Sequence, residues 1–449
     1  MKILLIGAGP ANLFAAYELS KNKDNDILVI ESGSKIEDRK CSKSGLCNCG
    51  TCDILCGEGG AGGFSDGKNT YSLKRGTNTS KSIFKQDDEE FFNRIDDLME
   101  THSFGGITKG FDEKAYEKYL GTKFTLEEYQ LRHYGSDGIQ DFVGNFSKVL
   151  KERGIKFLYN TDVLDVELDG KVTSQSNTYA HGFLIHQPDV IFIGTGLAGS
   201  KWLASQSKKL NISRVPGEAC FGIRFEADAN VLKPLFDKFY DFKLTYKHNG
   251  FEFRSFCCNQ QGYITNEHHK DYEIINVNGH SYLNENMKSN RSNFSIQCKI
   301  PVGIVTGRPQ EYVRHLAKLC NTTNVRFLSS RVQKVSDFMN FRPTYEFTST
   351  YHSQSVSGID LGQMDYSISN GFRAFIRELG KIVDVSSGDP LIYFPEMKYY
   401  ANKYQVEEDT FGLNNANKCN IHLVGHSTGF LDSFISCAIS GMKAAQCYI

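Results

Sequence analysis

The first thirty residues contain two short apolar runs separated by a stretch with helical spacing. Residues 2–6 (KILLI) and 27–30 (ILVI) are unbroken apolar runs, which is typical of buried parallel strands. Between them, residues 13–19 (LFAAYEL) place apolar side chains on one face of a helix. The pattern therefore predicts a strand–helix–strand (βαβ) unit that ends at Glu31.

A glycine-rich turn connects the first predicted strand to the helix. One glycine permits a tight turn, a second lets the backbone approach a pyrophosphate, and the amide end of the helix attracts that anion. Glu31 is placed to accept hydrogen bonds from a ribose hydroxyl pair. Asn12 replaces the third glycine of this fingerprint, so we expect a cost in helix–strand packing rather than in chemistry. The unit predicts dinucleotide binding, with contacts from Gly7, Gly9, Pro10, Ala11, Asn12 and Glu31.

A second glycine motif (GTGLAG, residues 194–199) follows another apolar run at 190–193. Because no acid-ended strand follows at the expected distance, we interpret it as a strand that returns to the first site, with Gly194 and Gly196 beside the cofactor. Upstream, residues 154–172 alternate apolar and polar positions, which predicts a hairpin that brings Val163 near the cofactor. This order of elements is typical of FAD-binding folds of the glutathione-reductase type.

The C-terminal segment supplies a further strand, turn and helix. Residues 421–424 (IHLV) read as a strand, and a turn containing Gly425, His426 and Gly429 leads into a helical stretch with small residues. We expect the amide end of this helix to face a flavin, where its dipole stabilises negative charge.

Residues 56–69 (CGEGGAGGFSDGKN) contain six glycines, and we call residues 57–67 the glycine loop. Such a stretch is either a flexible linker or a place where backbone approaches a large flat ligand. The polar residues Ser65, Asp66 and Lys68 at its end argue against a linker. We expect cofactor contacts from Gly59, Gly60, Ala61, Gly62, Ser65 and Asp66.

This glycine loop resembles, almost letter for letter, the GEGGAG–FSDGK hallmark of a family of FAD-dependent dehydrogenases. Further segments similar to that family lie at 133–137, 221–226, 254–257, 277–281 and 394–399. The resemblance implies bound FAD and hydride transfer from an unidentified small molecule to flavin N5. Two positions depart from the family: His426 replaces an aspartate that bonds the ribityl chain, and the arginine expected near Asp432 is missing.

Several residues are candidates for chemistry beside a flavin. His133, His280, Glu396 and Lys68 can act as a base or set local charge, and Arg254 can clamp a substrate carboxylate. Each also has an ordinary structural alternative: a histidine can be a satisfied core or surface residue, and a lysine–glutamate pair can be a salt bridge. Two other functions stay open: a monooxygenase or halogenase fed by a separate reductase, and a non-catalytic flavin or metal redox sensor.

Five cysteines crowd into residues 41–56. Four thiolates at short spacing can hold zinc or an iron–sulfur cluster, so Cys41, Cys47, Cys49 and Cys52 are candidate ligands. Cys49 and Cys52 form a CxxC pair that can instead be a redox dithiol. Reduced thiols without such a role are the third alternative, and the spacing does not decide among them.

The whole chain predicts an α/β protein in which a Rossmann-like FAD-binding domain joins a mixed, largely antiparallel substrate domain. We expect the FAD domain at 1–75, 130–210 and 385–449, a helical cap at 76–129, and the substrate domain at 211–384. The 449 residues carry a net charge of -1 without a basic run, which argues against nucleic acid. The absence of a long apolar stretch argues against membrane insertion and predicts a cytoplasmic protein. Electrons are expected to leave to oxygen or an acceptor protein.

Overall fold

The computed structural model describes residues 1–41, 47, 50–70, 84–85, 88–103, 105–109, 121–127, 131–178, 182–301, 303, 305, 308–322, 328–347, 355–399, 402–407, 409–413 and 419–449. The strands are β1 (Lys2–Ile6), β2 (Asp26–Ile30), β3 (Lys68–Thr70), β4 (Ile107–Lys109), β5 (Thr125–Glu127), β6 (Leu131–His133), β7 (Lys156–Leu158), β8 (Thr161–Val166), β9 (Val172–Ser176), β10 (Phe183–His186), β11 (Val190–Ile193), β12 (Arg214–Val215), β13 (Ala219–Asp228), β14 (Lys243–His248), β15 (Phe251–Asn259), β16 (Tyr263–His269), β17 (Ile274–His280), β18 (Arg291–Lys299), β19 (Arg331–Lys334), β20 (Leu391–Tyr399), β21 (Lys403–Tyr404) and β22 (Asn420–Leu423). The α-helices are α1 (Pro10–Leu19), α2 (Glu89–His102), α3 (Gly135–Glu152), α4 (Ser200–Lys209), α5 (Ala229–Phe236), α6 (Pro309–Thr322), α7 (Val335–Met339), α8 (Tyr366–Leu379) and α9 (Phe434–Ala445).

A five-stranded parallel sheet has the order β22-β11-β1-β2-β7. Its central strands are apolar on both faces because both faces are covered. Ile3 and Leu5 pack with α1, α3 and α9 on one side. Leu4 and Ile6 pack on the other side with α4 and the antiparallel β8–β9 hairpin. The predicted βαβ unit, the returning strand β11 and the C-terminal strand β22 all lie in this sheet.

Helices α1 and α9 cross at close range on the first face of the parallel sheet. A Cβ atom on Gly441 would lie 1.8 Å from the carbonyl oxygen of Ala11. The crossing therefore requires glycine at position 441, where the first turn of α1 meets α9 beyond its midpoint.

A seven-stranded sheet has the order β19-β20-β13-β18-β15-β14-β5, and its ladders are antiparallel. One face carries apolar side chains such as Phe221, Phe253 and Ile296, which pack beneath α5, α6 and α8. Alternate residues on the other face, among them Arg254 and Gln297, are polar and line a cavity. The predicted α/β class and the antiparallel second sheet are confirmed.

The connectivity differs from the expected domain segments in three places. Strand β20 falls in the segment 385–449 assigned to the FAD domain, but it lies in the antiparallel sheet. Strand β5 falls in the expected cap 76–129 and pairs with β14 in the same sheet. Helix α2, also expected in the cap, packs on α3 and α9 beside the parallel sheet. None of the described helices is both long and apolar enough to span a membrane.

Candidate functional site

A first cavity of about 640 Å³ lies at the carboxyl ends of β1, β2 and β11. Segments far apart in the sequence meet there: the β1–α1 turn, the glycine loop, the turn after β11 and the turn before α9. The cofactor contacts expected from the sequence that line this cavity are Gly7, Gly9, Pro10, Ala11, Glu31, Gly60, Ala61, Gly62, Val163, Gly194, Gly196, Gly425 and His426. Asn12, Gly59 and Gly429 do not line it, and Ser65 and Asp66 line a second cavity instead.

The β1–α1 turn is held against the turn after β11. Gly7 has φ of +94°, and a Cβ there would lie 2.6 Å from the Gly194 carbonyl oxygen. Gly9 caps the helix with extended backbone, and a Cβ there would meet only that same oxygen, at 3.9 Å. Helix α1 has no acidic residue in its first turn, so no side chain of that turn competes for its free amide groups.

Asn12 holds the turn together rather than disturbing it. Its Nδ2 donates to the carbonyl oxygens of Ile6 at 2.9 Å and Gly7 at 2.8 Å. A Cβ on Gly194 would lie 2.8 Å from that Nδ2, so the bare backbone at Gly194 makes room for the amide. The expected packing cost of Asn12 is therefore offset by two hydrogen bonds and a matching glycine.

Glu31 braces three segments of the site. Its Oε2 accepts from the Ala8 N–H at 2.7 Å, and its Oε1 accepts from the Gly33 and Gly57 N–H groups at 2.9 Å each. The side chain is buried and also lines the first cavity. A contact between Glu31 and a ribose stays a prediction.

The glycine loop lies directly against the β1–α1 turn. The Gly59 N–H donates to the Ala8 carbonyl at 2.8 Å. A Cβ on Gly60 would lie 3.1 Å from the Gly9 Cα, and one on Gly62 would lie 2.9 Å from the Phe434 ring. The loop is thus fixed in place by backbone contacts, which excludes the linker interpretation for these residues.

Arg39 supports the glycine loop from behind, a role that the sequence did not reveal. Its buried guanidinium donates to the backbone carbonyls of Asp53 at 2.8 Å, Ile54 at 3.1 Å, Glu58 at 2.6 Å and Gly60 at 2.9 Å. Burial lowers the pKa of Arg39. An arginine outside any recognisable motif gives no sequence signal for such carbonyl contacts.

The C-terminal turn places a second helix end at the cavity. Gly425 has φ of +65°, and its N–H donates to Ser440 Oγ at 2.8 Å. Ser433 caps α9 by accepting from the Ser436 N–H at 3.0 Å, and Ser433 lines the cavity. Burial lowers the pKa of His426 to about 4, so the imidazole is neutral at neutral pH. The turn therefore presents a neutral ring to the first cavity.

A second cavity of about 1220 Å³ adjoins the first and is walled by the polar face of the antiparallel sheet. The two cavities share a set of lining residues, which we call the junction. The junction consists of Ala61, Gly62, Phe256, Glu267, Asn278, Gln297, Lys398, Asp432, Ser433 and Phe434.

Lys68 lines the second cavity as part of a buried charge cluster. Its Nζ lies 2.6 Å from Asp66 Oδ2 and 3.8 Å from Asp241 Oδ1, and it contacts the Cys258 carbonyl. Burial acts to lower the pKa of Lys68, but the carboxylates of Asp66 and Asp241 outweigh it and raise that pKa. Lys68 is therefore a fixed cation at neutral pH, which favours a role in charge placement over a role as a base.

Glu396 lines the first cavity, but its carboxylate is held by a buried arginine. Arg224 Nε lies 2.7 Å from Oε2 and Nη2 lies 2.6 Å from Oε1, a bidentate pair. Arg224 also donates to the side-chain oxygens of Asn259 and Asn293 at 2.8 Å each. Although burial acts to lower the pKa of Arg224, Glu396 outweighs it and raises that pKa. This geometry favours a structural ion pair over the expected catalytic base.

The two candidate histidines lie in the polar interior behind the cavities. The Nδ1 of His133 contacts the Tyr240 hydroxyl, and its Nε2 lies 3.2 Å from Ser281 Oγ. Burial lowers the pKa of His133 to about 4. The Nδ1 of His280 lies 3.2 Å from Ser136 Oγ. Neither histidine belongs to the lining of either cavity, so the structure does not bring them to the expected site of chemistry.

Arg254 and Lys398 are two of the cations that the antiparallel sheet presents to the cavities. Arg254 lines the second cavity with its guanidinium 6.0 Å from the Phe256 ring centroid, and it pairs with no carboxylate of the described residues. Lys398 lies at the junction, 3.1 Å from Asp432 Oδ2 and 3.9 Å from the Phe256 ring centroid. The sequence indicated Arg254 but not Lys398. Lys398 follows Glu396 by two positions on β20, and this alternation was the sequence signal that both side chains lie on the same face of the strand.

The cysteine cluster is described only in part, because Cys49 lies outside the described residues. Cys52 Sγ accepts from the His268 N–H at 3.4 Å, and Cys56 lines the first cavity. Burial raises the pKa of both the Cys52 and the Cys56 thiols. In the described ranges, which include Cys41 and Cys47, no group of three or more His, Cys, Asp or Glu side chains could hold a metal ion.

Comparison with known proteins gives distant similarities. No family model matches the chain. A protein of Clostridium beijerinckii, described as uncharacterized, is 22% identical over 471 residues, which span 99% of this chain and 80% of that protein.

Similar solved structures include a flavin-dependent brominase (TM-score 0.45, 12% identity, 100% of this chain and 79% of that one). A flavoprotein/dehydrogenase from Cytophaga hutchinsonii gives a TM-score of 0.41 at 12% identity over 100% and 78% of the two chains. Glycine oxidase from Geobacillus kaustophilus gives 0.40 at 10% identity over 99% and 93%. These similarities are too low to assign a family or a function.

Proposed function

We propose that this chain is an FAD-dependent oxidoreductase that binds FAD in the first cavity and oxidises a small molecule held in the second. The observation that carries the proposal is the contact between the glycine loop and the β1–α1 turn. The Gly59 N–H donates to the Ala8 carbonyl, Gly60 lies against Gly9, and both segments belong to a cavity that shares part of its lining with a second one.

The residues of the first cavity fit a dinucleotide. Its volume of about 640 Å³ is within the roughly 300–1,000 Å³ typical of cofactor sites. Backbone is bare where the ligand would approach: a Cβ on Gly196 would meet no atom within 4 Å, so that glycine leaves open space. The amide end of α1 would hold the diphosphate, Glu31 would approach the adenosine ribose, and the amide end of α9 would face the ring system.

FAD, when bound, accepts a hydride from a substrate carbon. The chain supplies binding and charge around that chemistry. Lys398 and Asp432 place an ion pair at the junction, with Nζ and Oδ2 3.1 Å apart. The polar face of the antiparallel sheet holds the substrate, and the Phe256 ring contributes an apolar wall at the junction.

The second glycine motif supports an acceptor other than a resident nicotinamide domain. Gly194 and Gly196 follow β11, which pairs with β1, and both line the first cavity. We therefore propose that electrons leave to oxygen or to an acceptor protein. We propose no role for zinc or an iron–sulfur cluster at the cysteine cluster.

The experiment is an anaerobic reduction screen with the FAD-loaded protein and panels of amino acids, hydroxy acids, amines and alcohols. We expect one class to bleach the oxidised-flavin absorbance without any nicotinamide. If no compound bleaches the flavin, and oxygen-dependent product forms only when a separate reductase is supplied, the monooxygenase or halogenase alternative replaces this proposal.

A further inference from the structure

We infer that the second cavity binds a monocarboxylate whose neighbouring carbon carries an amino or hydroxyl group. Arg254 would hold the carboxylate, and Gln297 would accept a hydrogen bond from the N–H or O–H group. The inference rests on the proposed function, because it names the substrate class of that same site.

Arg254 is a cation available to a ligand. Five lysines also line the second cavity, and four of them have a carboxylate within 3.1 Å: Lys68 with Asp66, Lys243 with Asp241, Lys299 with Glu218 and Lys398 with Asp432. The fifth, Lys403, lies outside the antiparallel sheet, on β21, with its Nζ 5.9 Å from the Phe430 ring centroid. Arg254 pairs with no described carboxylate. A guanidinium presents a planar fork that matches a carboxylate in two parallel hydrogen bonds.

Gln297 carries a buried acceptor without a donor. Gln297 is 2% exposed and lines the junction, and its Oε1 has no hydrogen-bond partner among the described residues. Its Nε2 donates to Ser295 Oγ at 2.6 Å and to the Glu396 carbonyl at 3.2 Å. Because that carbonyl can only accept, the orientation of the amide is fixed. The unsatisfied oxygen therefore calls for a ligand that donates.

The backbone is shaped to keep Gln297 in this position. A Cβ on Gly222, its partner on β13, would lie 2.4 Å from Gln297 Nε2. Glycine at position 222 thus provides the space that the amide occupies. A buried amide held in one position selects the hydrogen-bonding groups of a ligand more strictly than a polar side chain in an open pocket does.

The strand register sets the spacing of the two groups. Arg254 on β15 and Gln297 on β18 are direct cross-strand partners, so their side chains leave the same face of the sheet side by side. Arg254 lines only the second cavity, while Gln297 lines both. A short ligand spanning the pair would therefore place its donor-bearing carbon toward the junction and its carboxylate away from it.

The acidic residues of the second cavity limit the number of negative charges that its ligand can carry. Glu127, Glu252 and Glu267 also line it, so a ligand with several negative charges would be repelled. A single carboxylate, with or without an ammonium group, suits this balance.

The test is calorimetric titration of the FAD-loaded protein with three probes of one size: alanine, lactate and propanoate. We expect alanine or lactate to bind at least about tenfold more tightly than propanoate, because only these two donate to Gln297. Arg254→Met should weaken all three probes by about tenfold or more. Gln297→Met should remove the difference between the probes.

Lys233→Met is the control for loss of a cation, because Lys233 is paired with Asp237 on the surface and lies outside both cavities; its affinities should stay within about twofold. FAD content and melting temperature check that each variant folds, and Arg254→Lys, which keeps the charge but loses the fork, should bind with intermediate affinity. Equal or undetectable binding of the three probes, or unchanged affinity in Arg254→Met, would overturn the inference. A protein that keeps FAD and is reduced by a compound without a carboxylate would retain the proposed function and lose this inference alone.

Discussion

Gly9 is the residue at which a role in cofactor binding can be separated from a role in folding. Its φ of −75° is accessible to alanine, and a Cβ there would meet only the Gly194 oxygen at 3.9 Å. We expect Gly9→Ala to change the unfolding free energy of the FAD-free protein by less than about 1 kcal/mol. The new methyl group would stand in the first cavity, so FAD affinity should fall by at least about tenfold. Chemical denaturation and fluorescence titration with FAD measure the two quantities.

Substitutions at two other glycines serve as controls for Gly9→Ala. Gly121→Ala is the control, because a Cβ there meets nothing within 4 Å and the position lies outside both cavities. Gly7→Ala should instead lower the stability of the protein. Gly7 has φ of +94°, and a Cβ there would lie 2.6 Å from the Gly194 carbonyl oxygen. Normal FAD affinity in Gly9→Ala would mean that no ligand approaches this backbone.

Glu396 tests whether the Arg224 pair is structural. Both side chains are almost fully buried, and removing one charge leaves the other without compensation. We expect Glu396→Gln to lower the unfolding free energy by about 3 kcal/mol or more in urea denaturation. A catalytic base would behave differently: the variant would keep its stability and lose only turnover.

His133 predicts a pH dependence of stability. Burial depresses its folded-state pKa to about 4, below the roughly 6.5 of an unfolded chain. The unfolded chain therefore takes up the proton first, and the stabilising contribution is complete above pH ~6.5 and declines as the pH falls toward 4. Between pH 7 and 5 the loss from this one group is about 2 kcal/mol.

Denaturation of His133→Gln at both pH values measures that contribution. The variant should lose about 2 kcal/mol less than the unaltered protein between pH 7 and 5. Burial lowers the pKa of His426 to about 4 as well, but that group is present in both proteins and cancels in the comparison. An identical pH slope in the two proteins would show that His133 is not buried in its neutral form.

At the scale of elements, the crossing of α1 and α9 controls the geometry of the site. A Cβ on Gly441 would lie 1.8 Å from the Ala11 oxygen, so Gly441→Ala must push apart two helices whose N-termini both line the first cavity. We expect a lower melting temperature and weaker FAD binding. Gly144→Ala in α3 is the matched variant, because its Cβ meets only Ile36 at 3.5 Å. It should leave FAD binding unchanged and gain up to about 1 kcal/mol from helix propensity.

Equal effects of the two substitutions on melting temperature and FAD binding would show that the helix crossing does not matter. The comparison is close because both changes add one methyl group to a glycine within a helix of the same layer.

The elements also show what the sequence could and could not reveal. The βαβ unit, the returning strand β11 and the C-terminal turn were predictable because short apolar runs and glycines act locally. Strand β20 was misplaced because its nine residues carry no local signal for pairing with β13, which precedes it by well over a hundred residues. Arg224 on β13 and Glu396 on β20 are just as far apart along the chain. The sequence therefore does not reveal that they pair, and Glu396 is expected there as a candidate base.

At the scale of the whole molecule, the two sheets meet around two cavities with a common wall. The parallel sheet supplies bare backbone and helix ends, and the antiparallel sheet supplies charged and amide side chains. The glycine loop and the residues before α9 belong to both linings. The order of motifs in the sequence could predict that the glycine turns converge at the parallel sheet and that a second, largely antiparallel sheet is present. It could not predict that Gln297 and Lys398 lie where they meet, because strand register is a property of the folded chain.

The central claim is that the first cavity holds FAD, and the most direct measurement is the cofactor content of the purified protein. The protein would be isolated without oxygen and denatured, and the released cofactor would be identified and quantified by chromatography. Stripped protein would then be titrated with FAD. We expect FAD in a ratio approaching one per chain and rebinding by the stripped protein. A colourless protein that contains no flavin and does not bind added FAD would contradict it.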